Sequence, residues 1–156
     1  MSGFVTRRKA LSIARNYVVA PVGGDFTTLS GALAAITTAS ASEQYQITVV
    51  GQIAETDTVT AKSYVHVTGL AGATVTVTKN GTGNGFVFNN LVDTCWRGLK
   101  LIRAGAVAAA SIVAVQIIGT CDNTVRLENC HIENNNTGTG GYGHGLILGA
   151  GVSVTS

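Results

Sequence analysis

Gly85-Phe86-Val87-Phe88, Ala114-Val115-Gln116-Ile117 and Gly145-Leu146-Ile147-Leu148 are three short apolar segments at similar spacing. A second segment follows each of the first two, at residues 96–101 and 127–132. The starts of successive copies lie 29 to 31 residues apart. Periods of this length indicate repeat architectures in which each unit stacks on its neighbours. The spacing therefore predicts an all-β solenoid, a parallel β-helix with one coil per repeat.

The composition suits one domain of this kind. The 156 residues are 46% hydrophobic and include 20 glycines and a single proline, which favours a buried core with many tight turns. Only 12% of the residues are charged, a proportion more typical of extracellular and virion solenoids than of cytosolic enzymes. The three cysteines, Cys95, Cys121 and Cys130, fit no metal-binding spacing, and we expect their thiols to face inward in the interior of the coils. No cofactor is expected.

The positive charge is concentrated at the start of the chain. Four basic residues precede Asp25, the first acid, and these are Arg7, Arg8, Lys9 and Arg15. From residue 16 onward, six basic residues face eight acids. We name residues 1–21 the arm and expect it to anchor the protein on an acidic protein surface. A membrane headgroup layer and a flexible solvated tail are the alternatives. Nucleic acid is a weaker partner, because four charges give modest affinity and no base-reading element accompanies them.

No targeting or membrane segment is recognised. Residues 6–11 resemble a twin-arginine export signal, but Arg15 and Asn16 interrupt the apolar stretch that such a signal needs. No run approaches the ~18 apolar residues of a membrane span. The apolar positions between Val5 and Tyr17 instead predict a short amphipathic helix.

A second helix is predicted over residues 27–36. Its apolar positions, Leu29, Ala32, Leu33 and Ile36, share one face, and Thr27, Thr28 or Ser30 can cap its start. Strands begin at residues 46–51, which are rich in β-branched side chains. The asparagines at 89–90 and 134–136 are predicted to form corners of the solenoid, since asparagine tolerates left-handed backbone, or to stack inside it.

Two stretches resemble a known superfamily. Gly24-Asp25-Phe26-Thr27-Thr28-Leu29, a short helix and Ile47-Thr48-Val49-Val50-Gly51 resemble the opening of the right-handed parallel β-helices of the pectate lyase and pectin methylesterase superfamily. Tyr64-Val65-His66-Val67-Thr68-Gly69-Leu70-Ala71-Gly72, followed by Ala73-Thr74-Val75-Thr76-Val77, is similar to the turn between their first two coils. The resemblance covers roughly residues 22–154 and is strongest to the N-terminal part of a bacteriophage tailspike or tail fibre. It implies a helix that caps the first coil, and it specifies a fold better than an activity.

The last residues, 152–156, alternate like a strand with no closing helix. An uncovered coil invites pairing with another chain. We therefore expect the solenoid, residues 22–156, to be incomplete at its C-terminal end, either as the front portion of a longer protein or as one protomer of a homotrimer.

Catalytic residues are sparse. The superfamily's enzymes on acidic sugars resemble one another in close carboxylates with a nearby arginine on an outer face. The nearest match is Asp93 and Asp122, which stand before the second segment of successive repeats, with Arg97 and Arg126 after them. Stacked in register, these residues can serve acid/base or ion-binding chemistry; the alternative is turn-capping.

Other polar residues point to binding rather than to metal or nucleophilic chemistry. His66 and His131 have no second ligand at metal spacing, which favours structural roles. Trp96, the single tryptophan, is expected to pack in the core or between coils, with a platform for sugar as the alternative. Tyr142 and His144, in a glycine-rich loop, are the candidates for contacts with sugar.

Three function classes follow. The first is a virion structural protein, the particle-anchored front part of a phage tailspike or fibre, which assembles as a homotrimer, contacts other virion proteins through the arm and presents its solenoid to host polysaccharide. The second is a polysaccharide lyase or pectinesterase-like enzyme. The third is a secreted adhesin, which the missing export signal disfavours. We expect the first, located on the tail or particle surface.

Overall fold

The computed structural model describes residues 13–106, 112–122, 124–137 and 143–149. Within these ranges the chain forms one helix, α1 (Leu29–Ala35), and a series of short strands. The strands are β1 (Ile13–Val19), β2 (Gln44–Val49), β3 (Gln52–Glu55), β4 (Val59–Thr60), β5 (Val65–Gly69), β6 (Thr74–Thr78), β7 (Phe86–Asn89), β8 (Cys95–Arg97), β9 (Lys100–Ala106), β10 (Ile112–Ile118), β11 (Arg126–Glu128), β12 (His131–Thr137) and β13 (Gly143–Leu148).

The strands form three parallel sheets. Sheet 1 has the order β1-β2-β5-β8-β11, sheet 2 the order β3-β6-β9-β12 and sheet 3 the order β4-β7-β10-β13. From β2 onward the chain visits sheets 1, 2 and 3 in rotation, and each strand pairs with the strand one coil away. The result is a parallel β-solenoid of about four turns, which confirms the predicted architecture.

The repeat predicted from the sequence is the stacking register. Val115 pairs with Phe86 in the preceding coil and with Leu146 in the following one. The second segments, at residues 96–101 and 127–132, however, each span two strands and not one. The break falls at Gly98 (φ 65°) in one coil and at Asn129 (φ 51°) in the next, because a left-handed residue turns the chain from sheet 1 to sheet 2.

The tube interior is mainly apolar and holds the single tryptophan. Trp96 is fully buried, and its ring meets those of Phe86 and Phe88 edge-on at centroid distances of 6.2 and 4.9 Å. Edge-to-face aromatic pairs add about 1 kcal/mol each beyond their buried area. Trp96 is thus a packing residue between coils, as its place in the repeat predicts.

Helix α1 confirms the second predicted helix with slightly shorter bounds. Thr28 is its N-cap, with Oγ1 accepting from the Gly31 amide at 3.2 Å, and Leu29, Ala32 and Leu33 are buried. Glu55 on β3 is also buried, and it accepts hydrogen bonds from the amide of Leu29 at 2.5 Å and from the amide and hydroxyl of Ser30 at 3.2 and 2.5 Å. This carboxylate fastens the helix to the first coil.

Strand β1 corrects the amphipathic helix predicted between Val5 and Tyr17. Residues 13–19 are extended and pair in parallel with β2, while residues 1–12 lie outside the described residues. The exposed backbone edge of β2 offers main-chain partners, and their pairing overrides the weak helical pattern. Tyr17 packs on this edge, stacked on Tyr45 at 6.4 Å and edge-on to Phe26 at 5.3 Å.

The asparagines at 89–90 and at 134–136 follow different alternatives of the prediction. Asn90 has φ 52° and follows β7, so it forms a left-handed corner. Residues 134–136 lie inside β12 and make no corner. Asn134 is paired in register with the fully buried Arg103, which places it on an inward row of the solenoid.

None of the described residues belongs to a helix that is long and apolar enough to cross a bilayer.

Candidate functional site: a groove on the outer face of sheet 1

The outer face of sheet 1 bears a polar groove of about 420 Å³. Because side chains alternate along a strand, the buried Tyr45 and Ile47 of β2 leave Gln46 between them on the outer face. Gln46 stacks on His66 of β5 in register. The residues that line the groove are Ile13, Gln46, His66, Asp93, Cys95, Arg97, Arg126 and Glu128.

Two guanidinium groups stand on neighbouring coils of the groove. Arg97 donates from Nε to Thr68 Oγ1 at 3.1 Å, and Arg126 Nε lies 3.5 Å from Glu128 Oε1. In register, Arg126 stacks on Cys95 and Glu128 on Arg97, so the two arginines are diagonal neighbours. Each guanidinium has five N–H donors, and most of them remain for a ligand.

The floor of the groove is a chain of hydrogen bonds. Gln44 donates from Nε2 to Asp93 Oδ2 at 2.7 Å, and its Oε1 lies 3.3 Å from His66 Nε2. Since the amide nitrogen serves Asp93, the amide oxygen faces His66 and accepts from Nε2–H. Burial lowers the pKa of His66, opposed by the charge of Asp93 and assisted by those of Arg126 and Arg97. The imidazole is therefore neutral at pH 7.

Cys95 lies in this groove and not in the tube interior where the sequence places it. Trp96 takes the inward position on β8, so its neighbour Cys95 faces outward and is buried under the surrounding side chains. Burial raises the pKa of the Cys95 thiol, with the charge of Glu128 as the next cause. A protonated thiol is a poor nucleophile. Cys121 and Cys130 do pack against the core, as expected, and all three thiols are free.

The structure brings three of the four candidate catalytic residues together. Asp93, Arg97 and Arg126 line the groove, whereas Asp122 does not. Asp122 Oδ1 accepts from the amide and hydroxyl of Thr124 at 3.0 and 2.5 Å and so caps a turn. These bonds, the hydroxyl first, lower the pKa of Asp122.

Register explains why the two carboxylates do not stack as a pair. The sequence comparison aligns Asp93 with Asp122, 29 residues apart, but β8 and β11 stack at a spacing of 31. The Asp93 amide accordingly donates to Thr124 Oγ1 at 2.7 Å, and the Asp122 amide donates to the carbonyl of Leu91 at 3.1 Å. Two additional residues before β11 shift Asp122 away from Asp93.

The other predicted residues are not in the groove. Arg15 is exposed on β1, where its Nη1 donates to Tyr17 Oη at 3.0 Å. This hydrogen bond raises the pKa of Arg15. His144 is exposed on β13, in sheet 3. Four predicted residues lie outside the described residues, and these are Arg7, Arg8, Lys9 and Tyr142.

Sequence reasoning missed part of the groove. Gln44, Gln46 and Glu128 were not singled out, and His66 was expected to be structural. One sequence signal could have found these residues. Side chains alternate along each strand of sheet 1, so the residues between the inward apolar positions must face outward. Among the described residues, no three His, Cys, Asp or Glu side chains group so as to hold a metal ion.

Comparison of the chain with protein-family models, with curated proteins and with solved structures finds no match in any of the three.

Proposed function

We propose that this chain is a structural protein of a virus particle, the front part of a phage tailspike or tail fibre, whose solenoid binds host-surface polysaccharide in the sheet 1 groove. In this proposal the solenoid is a right-handed β-helix of the pectate lyase type, α1 caps its first coil, and three copies form the projecting body. The arm, with Arg7, Arg8, Lys9 and Arg15, contacts other virion proteins.

The observation that carries the proposal is the pair of guanidinium groups, Arg97 and Arg126, on an open outer face. Stacked coils present them at intervals along a groove, as an extended polymer requires. Charge-assisted hydrogen bonds from arginine select carboxylates, so a polysaccharide with acidic sugars is the ligand that fits.

Binding fits the groove better than turnover does. The Asp93 carboxylate is held by Gln44, and Asp122 stands outside the groove with its pKa lowered by Thr124. Acid/base chemistry on a sugar of the kind expected from the sequence needs two carboxyl groups close together. Asp93 and Asp122 do not meet beside the two arginines.

The binding test compares a double variant with a matched control. Calorimetric titration of a uronic-acid polysaccharide should show affinity for the wild-type protein, reduced about 50-fold in Arg97→Ala/Arg126→Ala, because two charge-assisted contacts are lost. Lys79→Ala/Lys100→Ala removes the same charge from sheet 2 and should bind like the wild type. An equal loss of affinity in both variants would show that binding depends only on net charge, and it would contradict the groove as the binding site.

The enzymatic alternative keeps one supporting observation, the presence of His66, Asp93 and both arginines in one groove. Incubation with pectic and other uronic-acid polysaccharides distinguishes the two functions. Binding without release of unsaturated sugars or methanol agrees with our proposal. Sustained turnover that Asp93→Asn abolishes would replace it with catalysis.

Anchoring by the arm is tested separately. Because β1 begins at Ile13, deletion of residues 2–12 leaves the first sheet intact. The deleted protein should keep the wild-type circular dichroism spectrum and fail to join particles, and Arg7→Gln/Arg8→Gln/Lys9→Gln should do the same. Normal incorporation of either variant would exclude the arm as the anchor.

A further inference from the structure

Arg103 is the one basic side chain in the core of the described residues. It lies on β9 in sheet 2, paired in register with Val77 of the coil before and Asn134 of the coil after. Its side chain has no solvent exposure. The row that contains it faces the tube interior, away from the sheet 1 groove.

The guanidinium of Arg103 is only partly hydrogen-bonded. Nε donates to the Gly83 carbonyl at 3.2 Å, and Nη1 donates to the Ala104 carbonyl and to Asn136 Oδ1, the latter at 3.3 Å. Nη2 is buried and finds no acceptor in the part of the chain that the structure describes. Burial lowers the pKa of Arg103, but a guanidinium keeps its proton inside proteins. A full positive charge therefore sits in the interior with neutral partners.

No side-chain carboxylate of this chain neutralises that charge. All eight acids lie within the described residues, and each has another partner. These contacts are Asp25 with the Val18 amide, Glu43 with Tyr45, Glu55 with α1, Asp57 with Lys79, Asp93 with Gln44, Asp122 with Thr124, Glu128 with Arg126 and Glu133 with Lys100. No side-chain carboxylate is therefore left to balance the charge of Arg103.

Two glycines shape the space around the guanidinium. A Cβ on Gly105 would lie 3.1 Å from Arg103 Nη1 and would collide with the Lys79 carbonyl. A Cβ on Gly85 would lie 3.2 Å from Arg103 Cβ and 2.7 Å from the Ala114 carbonyl. The absence of a side chain at both positions allows the arginine to pack inside the tube. The close contacts around it leave no room for a large ligand.

We propose that Arg103 binds a small monovalent anion through Nη2, and that chloride is the one it takes from solution. A buried charge needs a partner of opposite charge as well as hydrogen bonds, and water supplies only the second. The full burial of the side chain excludes bulky anions, and the single unpartnered Nη2 group favours a monovalent one. The site stabilises the stacking of the coil that contains β9 on the coil that contains β12.

The test measures thermal unfolding in sodium chloride and in sodium gluconate at equal ionic strength. Gluconate is too large to enter. An anion that binds only the folded state should raise the Tm of the wild-type protein by about 5 °C in chloride. Arg103→Met keeps the length of the side chain and removes the charge, so its Tm should be equal in the two salts.

Lys100→Met is the matched control, because it removes one positive charge from a partly exposed site on the same strand, outside the sheet 1 groove. It should keep the wild-type response to chloride. Equal Tm values for the wild-type protein in both salts, or an unchanged response in Arg103→Met, would overturn the proposal.

A second measurement decides the case even if Arg103→Met fails to fold. Crystals of the wild-type protein grown in bromide should show an anomalous peak within hydrogen-bond distance of Arg103 Nη2. Absence of a peak at that position, in crystals with bromide bound elsewhere, would overturn the site.

Discussion

Glu55 shows how one side chain joins two elements of the fold. Its carboxylate accepts the amides of Leu29 and Ser30 and the hydroxyl of Ser30, all at the start of α1. A helix of seven residues does not stabilise itself, since isolated helices of this length are marginal. No pattern in the sequence indicates this contact, because it depends on the position of β3 beside the helix.

Removing the carboxylate should destabilise the protein clearly. Glu55→Ala leaves the buried amide of Leu29 and the partly buried amide of Ser30 without an acceptor, and we expect a loss of about 3 kcal/mol in the free energy of unfolding. Glu55→Gln keeps one acceptor oxygen and should lose about 1 kcal/mol. Urea denaturation followed by Trp96 fluorescence measures both.

Asp57→Ala is the control for this series. Its carboxylate pairs with Lys79 at 3.5 Å on the surface and is 83% exposed, so the change should stay below about 0.5 kcal/mol. If Glu55→Ala proves no less stable than Asp57→Ala, then Glu55 does not hold the helix.

His66 predicts a dependence of stability on pH. Its pKa is lowered in the folded protein by burial, so the unfolded chain takes up a proton first as the pH falls. Stability is therefore complete above the unfolded pKa of about 6.5, and it decreases as the pH falls through the folded value. Urea midpoints between about pH 7 and about pH 5 should decrease more steeply in the wild-type protein than in His66→Gln.

His144→Gln is the matched control, because its ring is exposed on β13. It should keep the wild-type slope. A wild-type slope in His66→Gln would mean that another group causes the dependence.

At the scale of elements, the turns between sheets 1 and 2 set how closely the coils approach. Gly69 ends β5, and a Cβ there would collide with the Gly98 carbonyl and lie 2.8 Å from Leu99 Cδ2. The glycine is required for space, since its φ is not among the positive ones. The close approach belongs to the stacked coils and cannot be read from either turn alone.

Gly69→Ala should therefore destabilise the protein by about 2 kcal/mol, the usual cost of overpacking a rigid contact. Gly145→Ala is the control, because its Cβ would meet only Ile132 Cγ2 at 4.0 Å. Differential scanning calorimetry should give a clearly lower Tm for the first variant and little change for the second. Similar Tm values for the two would show that the coils can move apart.

At the scale of the whole molecule, the last described coil leaves apolar side chains exposed. Leu146 and Leu148 on β13 are 45% and 39% exposed, although their partners in β10, Val115 and Ile117, are buried. Coils of a solenoid are stable only when neighbours cover them. This is consistent with the proposed assembly of three copies.

Light scattering of the purified chain should give three times the chain mass of 15.9 kDa. Removal of residues 2–12 should lower the mass of this oligomer only by the mass of the deleted residues, because assembly is expected in the solenoid. A monomer at high concentration would contradict the trimer and favour the enzymatic alternative.

The sequence by itself determined the solenoid, its repeat, α1 and the packing role of Trp96. These features depend on apolar alternation and glycine or asparagine corners that lie close together in the chain. Local signals of this kind survive folding, because every coil repeats them and the stacked coils agree.

Only the tertiary structure decided the pairing of β1, the membership of the groove and the burial of Arg103. Strand β1 forms because the edge of β2 is open to it, which no local pattern reports. Asp122 lies outside the groove because the spacing between stacked strands changes from 29 to 31 residues. His66 lies in the groove because it is the outward residue between the buried Val65 and Val67 of β5. A change of two residues in one turn keeps each side chain on its face and gives it a different neighbour, so register is settled by the stacked coils together.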